Sequence, residues 1–135
     1  MSARVFVDTS AYFALTDRRD NNHALAEATA RRFTQEGAEL YTTNFIMAET
    51  HALLLNRIGR DIAAQVLERL YASETRILRA TESDERRARE IIAQHRDKDY
   101  SFADAISFVV MQRPHLQHVW TYDQHFSQFG FARVN

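Results

Sequence analysis

Short apolar segments alternate with amphipathic helical segments along the whole chain, and this alternation most constrains the fold. The β-branched and aromatic residues 5–7 predict a first strand, followed at once by a helix that continues through Leu15. Four further strands are predicted at about residues 40–42, 75–78, 118–121 and 131–134. Strands separated by helices form βαβ units, so the sequence predicts a mainly parallel sheet covered by helices on both faces.

Amphipathic spacing and helix-end signals place the remaining helices at about residues 22–36, 45–58, 62–71, 83–95, 101–113 and 124–129. Gly37 and Gly59 follow two of these segments, at the position where the end of a helix favours glycine. Pro114 stops the helix that ends at residue 113. The apolar stripe of residues 62–71 is expected to join the core.

The composition fits one soluble α/β domain over residues 1–135. The chain is 45% hydrophobic and 26% charged, which is typical of a globular protein and excludes disorder. No apolar run approaches the roughly 18 residues of a membrane span, and no signal-peptide pattern opens the sequence. The absence of cysteine excludes disulfides and thiolate metal sites, and it fits a reducing compartment such as the cytoplasm.

The charge of the chain is nearly balanced. The 17 basic and 18 acidic residues give a net charge of −1, whereas proteins that bind nucleic acid electrostatically usually carry a clear positive excess. All basic residues except Lys98 are arginines, which suit bidentate contact with phosphate. Local arginine clusters such as residues 31–32 and 86–89 therefore either contact a phosphate backbone or form exposed helix faces.

Four carboxylates occupy positions where an acid needs an explanation. Asp8 and Asp123 each follow a predicted strand, at the edge of a parallel sheet where ligands bind. Glu49 has apolar helical neighbours, and Asp104 interrupts a helix that is apolar on nearly every side. Structural alternatives exist: Asp8 and Asp123 suit turns or helix N-caps. Glu49 could tilt towards solvent or an arginine, and Asp104 fits a capping box with Ser101.

Taken together, the four acids predict a metal site. If they converge at one edge of the sheet, a cation has to lie between them, because like charges at close range cannot all remain ionised. Carboxylate oxygens without cysteine or a clear histidine cluster favour a hard ion, Mg²⁺ or Mn²⁺.

The order and surroundings of these acids resemble those of PIN domains, in particular the VapC-type toxins of prokaryotic toxin–antitoxin pairs. Val-Phe-Val-Asp8-Thr-Ser is similar to the first motif of the family, and Ala48-Glu49 is similar to the second. Ser101-Phe-Ala-Asp104-Ala is similar to the third motif, and Thr121-Tyr-Asp123-Gln-His-Phe to the fourth. The four motifs occur in the family order and span nearly the whole chain.

This resemblance implies a three-layer α/β/α sandwich and Mg²⁺-dependent cleavage of a structured RNA such as transfer or ribosomal RNA. In the family the four acids form the catalytic metal pocket, which holds one or two ions. By this resemblance Asp8 and Asp104 would be the principal ligands, and Glu49 and Asp123 would complete the pocket. The small hydroxyl positions near the site are matched by Thr9, Ser10 and Ser101. The resemblance also implies a cognate antitoxin that blocks the pocket and, commonly, a toxin homodimer.

Other functional classes fit the sequence less well. A receiver-type phosphoacceptor needs a second acid beside Asp8 and a lysine near the last strand, and a dehalogenase-type phosphatase needs an aspartate where Ser10 stands. A transition-metal site lacks a persuasive ligand spacing, so surface positions are expected for His115, His118 and His125. The remaining alternative is a PIN-like module that binds RNA or a protein without cleavage. Such a module would gain nothing from an anionic pocket that faces phosphate.

Overall fold

The computed structural model describes residues 3–135 and contains a five-stranded sheet. The strands are β1 (Arg4–Val7), β2 (Glu39–Thr43), β3 (Arg76–Leu78), β4 (His118–Trp120) and β5 (Ala132–Arg133). Their order across the sheet is β3-β2-β1-β4-β5, and every neighbouring pair is parallel. The predicted parallel sheet is confirmed, with a strand at each of the five predicted places.

Seven helices occur within the described residues. They are α1 (Thr9–Thr16), α2 (His23–Glu36), α3 (Asn44–Arg57), α4 (Arg60–Ala72), α5 (Glu82–Gln94), α6 (Phe102–Gln112) and α7 (His125–Phe129). Their ends lie within two residues of the predicted ones. Gly37 ends α2 in the left-handed conformation, with a φ of 66°, as a glycine C-cap requires. The longest helices of residues 3–135 have 14 residues, fewer than the roughly 20 that cross a bilayer.

Buried aromatic rings fix α6 and α7 against the central strand. All residues of α6 from Asp104 to Met111 are buried, as expected for a helix that is apolar on nearly every side. The ring of Phe108 on α6 meets the ring of Phe126 on α7 edge to face at 5.1 Å, and Phe126 lies 6.0 Å from Phe6 of β1. Because such packed rings leave little room for movement, the first turns of both helices are held beside the carboxyl end of β1.

The prediction that the apolar stripe of α4 joins the core is only partly correct, since Leu70 packs against the core cluster. Only Ala63 of this helix is buried, whereas Ile62 and Tyr71 are 39% and 53% exposed. α4 packs mainly on α3 rather than on the sheet, so the core covers only part of its apolar face.

Candidate metal centre

Two strand ends and two helices meet at one edge of the sheet. Asp8 directly follows β1, and its backbone N–H donates to the carbonyl of Trp120 at the end of β4, at 3.1 Å. Asp123 follows β4 shortly afterwards, and β1 and β4 are parallel neighbours. Helices α3 and α6 pack against each other and carry Glu49 and Asp104. The charges of Asp104 and Asp123 act on both Asp8 and Glu49, so the structure brings the four predicted acids together.

Asp8 is a buried carboxylate that does not act as a helix cap. It occupies the N-cap position of α1, but its side chain makes no capping hydrogen bond. Instead, Oδ2 accepts hydrogen bonds from the hydroxyls of Thr121 at 2.8 Å and Ser10 at 3.0 Å. Burial, followed by the negative charges of Asp123 and Asp104, raises the pKa of Asp8 to about 7, although both hydroxyl bonds act to lower it.

Glu49 lies half-buried on the face of α3 that is turned towards α1. Its Oε1 accepts a hydrogen bond from Thr9 Oγ1 at 2.6 Å, and the hydroxyl of Thr50 donates to Thr9 at 3.3 Å. Burial and the charges of Asp104 and Asp123 raise the pKa of Glu49. The alternative in which Glu49 pairs with an arginine is not what the structure shows.

Asp104 is both part of a capping box and a member of the acidic cluster, the two roles that its position in the sequence suggested. Its backbone N–H donates to Ser101 Oγ at 3.0 Å, and its Oδ2 accepts from the Ser101 backbone N–H at 3.1 Å, which completes a capping box. The same Oδ2 lies 2.8 Å from His125 Nδ1. Burial is the main cause of a raised pKa of Asp104, and the charge of Asp123 adds to it.

His125 belongs to the acidic cluster, so the prediction that it is a surface histidine is wrong. Asp123 Oδ1 accepts from the His125 backbone N–H at 2.9 Å, in a turn that opens α7, and lies 3.9 Å from His125 Nδ1. One ligand atom each from Asp104, Asp123 and His125 lies within 4.8 Å of the other two. His115 and His118 are exposed, as predicted. The position of His125 two residues after Asp123, in a turn, was the one sequence signal for its role.

Several hydroxyl residues surround the pocket and form hydrogen bonds with its acids. Thr121 was not singled out from the sequence, yet its Oγ1 donates to Asp8 and accepts from the Asp123 backbone N–H at 3.2 Å. Ser10 accepts from the Tyr122 backbone N–H at 2.9 Å. The predicted hydroxyl residues Thr9, Ser10 and Ser101 each form a hydrogen bond with one of the acids or its backbone. A threonine at the end of a buried strand, two residues before an acid, is the signal that marks Thr121.

The donor groups of this pocket fit a hard divalent cation. In residues 3–135, hydrogen bonds to the four carboxylate side chains reach only one oxygen of each: Oδ2 of Asp8, Oε1 of Glu49, Oδ2 of Asp104 and Oδ1 of Asp123. No arginine or lysine of this part of the chain forms an ion pair with any of them. A cation held among these carboxylates would relieve the repulsion that, together with burial, raises the pKa values of Asp8, Glu49 and Asp104. Oxygen donors of this kind match Mg²⁺ or Mn²⁺.

Residues 5–132 match the family model of the PIN domain. The chain is similar to the 23S rRNA-specific endonuclease VapC20 of Mycobacterium tuberculosis, at 32% identity over 130 residues, which cover 96% of this chain and 97% of that protein. It is also similar to Ribonuclease VapC26 of the same organism, at 26% identity over 124 residues, covering 91% and 90% of the two chains.

Solved structures show the same relationship. The crystal structure of Mycobacterium tuberculosis VapC20, described as a Sarcin-Ricin loop cleaving toxin, matches with a TM-score of 0.88 over 96% of this chain and 98% of that one, at 32% identity. The structure of FitAcB from Neisseria gonorrhoeae matches at 20% identity with a TM-score of 0.68, over 97% and 96% of the two chains, a likeness of fold alone. The predicted α/β/α architecture is therefore confirmed, and this chain belongs to the PIN-domain family.

Proposed function

We propose that this chain is a metal-dependent endoribonuclease that cleaves a structured ribosomal RNA, and that it is the toxin of a toxin–antitoxin pair. The observation that carries the proposal is the convergence of four carboxylates, each with one free oxygen and none paired with an arginine or lysine of residues 3–135. Two relatives support the substrate class, since one is a 23S rRNA-specific endonuclease and the other a ribonuclease. A ribosomal substrate puts the proposed action in the cytoplasm, in line with a chain that has no cysteine.

Asp8 and Asp104 are the proposed principal ligands of Mg²⁺ or Mn²⁺, and Asp123 and Glu49 complete the pocket. Polarisation of the phosphodiester and activation of a water molecule are the chemistry that a bound divalent ion supplies. The protein fixes the carboxylates beforehand, because hydroxyl, backbone and imidazole donors hold one oxygen of each. Glu49 and Asp123 are only half-buried, so their free oxygens can reach water and orient it for attack.

Cleavage of purified ribosomal RNA tests this proposal. We expect the wild-type chain with Mg²⁺ to produce discrete fragments, and we expect EDTA or the substitution Asp8→Asn to reduce the rate at least about 100-fold. Asp8→Asn keeps the size of the side chain, and circular dichroism checks that the variant folds. Asp61→Asn is the matched control, because Asp61 is an exposed acid on α4 and its loss should leave the rate unchanged.

Cleavage that persists in EDTA, or equal rates for wild type and Asp8→Asn, would overturn the proposal. A PIN-like module that only binds RNA would leave the RNA length unchanged in every reaction, so the same gel separates it from a nuclease.

The proposal extends to a cognate antitoxin and a toxin homodimer, which the family resemblance implies. Exposed apolar side chains suited to protein contacts occur on three neighbouring helices, at Leu25 on α2, Leu55 on α3, and Ile62 and Tyr71 on α4. Light scattering coupled to size exclusion measures whether the chain dimerises. Co-purification with the product of the adjacent gene tests for the antitoxin, and inhibition of cleavage by that product would support it.

A further inference from the structure

A pair of aromatic side chains, Phe45 and Phe102, lies beside the acidic pocket. Phe102 is the first residue of α6, two residues before Asp104, and Phe45 lies on α3 one helical turn before Glu49. The two rings meet edge to face, with centroids 5.4 Å apart and planes at 89°. The pair therefore connects the first turns of the two helices that carry Glu49 and Asp104.

Phe102 is a surface residue rather than a member of the core. Its side chain is 37% exposed, whereas Phe108 of the same helix is completely buried and Phe45 packs against the core cluster. Single exposed apolar residues are common on proteins, so the position of Phe102 matters more than its exposure. None of the other large apolar side chains exposed in residues 3–135 is within five residues of one of the four acids. They are Leu25, Leu55, Ile62, Tyr71 and Ile92.

We infer that Phe102 stacks against an unpaired nucleobase of the RNA, beside the phosphodiester that is cleaved, and that Phe45 holds its ring in place. This inference rests on the proposed function. An edge-to-face contact covers at most one face of a ring, so Phe102 keeps a face for a base. Residues one turn apart on a helix have Cβ atoms about 5–6 Å apart. A phosphate near Glu49 therefore brings a base of the adjoining nucleotides within reach of this aromatic pair.

The charge of the protein explains why such a contact is needed. A net charge of −1 gives little general attraction for a phosphate backbone, and the pocket itself is lined by four acids. Stacking of a base on an aromatic ring supplies affinity that does not depend on charge. Proteins that recognise RNA loops commonly bind unpaired bases in this way. Phe102 is thus a substrate-positioning residue that offsets the poor electrostatic match.

Three substitutions of Phe102, measured on a synthetic hairpin with the sarcin–ricin loop sequence of 23S rRNA, test the inference. Phe102→Ala removes the ring, Phe102→Leu keeps apolar bulk against Phe45, and Phe102→Tyr keeps an aromatic ring. We expect the alanine and leucine variants to raise KM about tenfold with little change in kcat, and the tyrosine variant to stay within about twofold of wild type. Ile92→Ala, which removes an apolar side chain from α5 that is as exposed as Phe102 (37%), is the matched control and should leave KM unchanged.

Hairpins with a single abasic nucleotide separate stacking from a structural role. Removal of the base that stacks on Phe102 should weaken RNA binding by the chain with Phe102 about tenfold. On that abasic hairpin, Phe102→Ala should cause no further loss of affinity, as a double-mutant cycle requires for two groups that interact. A structural role would leave the effect of Phe102→Ala the same on every hairpin. These affinities are measured in the Asp8→Asn background, in which cleavage during the titration is slow.

The outcomes distinguish this inference from the proposed function. Wild-type KM values in both Phe102→Ala and Phe102→Leu would overturn the stacking role while cleavage itself continued. A defect confined to Phe102→Ala, together with a lower melting temperature, would show a packing role and would also overturn it. If the wild-type chain neither binds nor cleaves the hairpin, the proposed substrate and the stacking role fail together.

Discussion

At the scale of single residues, Asp104 and Asp84 show what distinguishes the acidic pocket from an ordinary buried acid. Each is the third residue of a helix with a capping box, and each is 6% exposed. Asp84 forms an ion pair with Arg113 at 2.9 Å, whereas Asp104 faces other acids and one imidazole. A buried carboxylate without a permanent cation costs free energy, which fits the proposed role of Asp104 as a metal ligand.

His125 provides a prediction at this scale. With Asp104 ionised, His125 Nδ1–H donates to Oδ2 at 2.8 Å and so orients the carboxylate that is the proposed ligand. Loss of such a supporting partner typically lowers metal affinity 10- to 100-fold. We therefore expect His125→Ala to weaken Mn²⁺ binding by about tenfold or more in isothermal titration, and His125→Asn to recover part of it, because the asparagine Nδ2 can replace Nδ1 as the donor.

The control for this experiment is His118→Ala, because His118 is exposed on β4. It should bind Mn²⁺ like the wild type. Equal Mn²⁺ affinity for His125→Ala and the wild type would mean that the contact with Asp104 has no part in metal binding.

At the scale of secondary-structure elements, two matched capping boxes allow stability to be separated from function. Ser101 caps α6, which carries Asp104, and Thr81 caps α5 with the same two hydrogen bonds. Ser101→Ala and Thr81→Ala should each lower the free energy of unfolding by about 1 kcal/mol. Only Ser101→Ala should also lower the cleavage rate, by about tenfold, because fraying of the first turn of α6 displaces Asp104.

Urea denaturation and RNA cleavage measure the two effects in parallel. Comparable losses of activity in both variants would mean that the rate follows overall stability rather than the position of Asp104.

Local signals in the sequence account for most of the elements. Short apolar segments that alternate with amphipathic segments predicted five strands and the helices between them. Capping signals such as Ser101 and Gly37 placed helix ends correctly. Burial of α4 was not predictable in this way, because an amphipathic pattern shows that one face is apolar but not how much of it a neighbour covers. The contacts of His125 and Thr121 were missed for a related reason. They join residues 21 and 113 positions apart, and local patterns do not encode such pairs.

At the scale of the whole molecule, the sheet holds repelling groups together. Asp8 and Asp123 follow neighbouring parallel strands, and buried aromatic rings fix the helix that carries Asp104 against β1. The four acids therefore cannot separate to reduce their repulsion while the chain remains folded. This repulsion lowers the stability of the folded, metal-free protein. Because protonation of the acids removes the repulsion, that stability must depend on pH.

The metal-free protein is therefore expected to lose stability as pH rises from 5 to 8. The pKa of Asp8 is 3.8 in its ordinary state and about 7 in the folded chain, so between these values the folded chain holds a proton that the unfolded chain has released. This contribution to stability is complete below pH 3.8 and is lost as pH rises through about 7. For Asp8 alone the loss between pH 5 and 8 is about 3 kcal/mol, or roughly 10 °C in melting temperature. The raised pKa values of Glu49 and Asp104 act in the same direction.

Thermal melts in EDTA at pH 5 and pH 8 measure this loss, and the same melts of Asp8→Asn isolate it from the titration of other groups. Asparagine cannot ionise, so the variant should melt higher than the wild type at pH 8 and should show a smaller decline with pH. Saturating Mn²⁺ should reverse the trend in the wild type, because the ion binds the deprotonated carboxylates and its stabilising effect grows as pH rises. An increase in melting temperature with Mn²⁺ that is equal at pH 5 and pH 8, or equal in wild type and Asp8→Asn, would mean that Asp8 does not bind the ion.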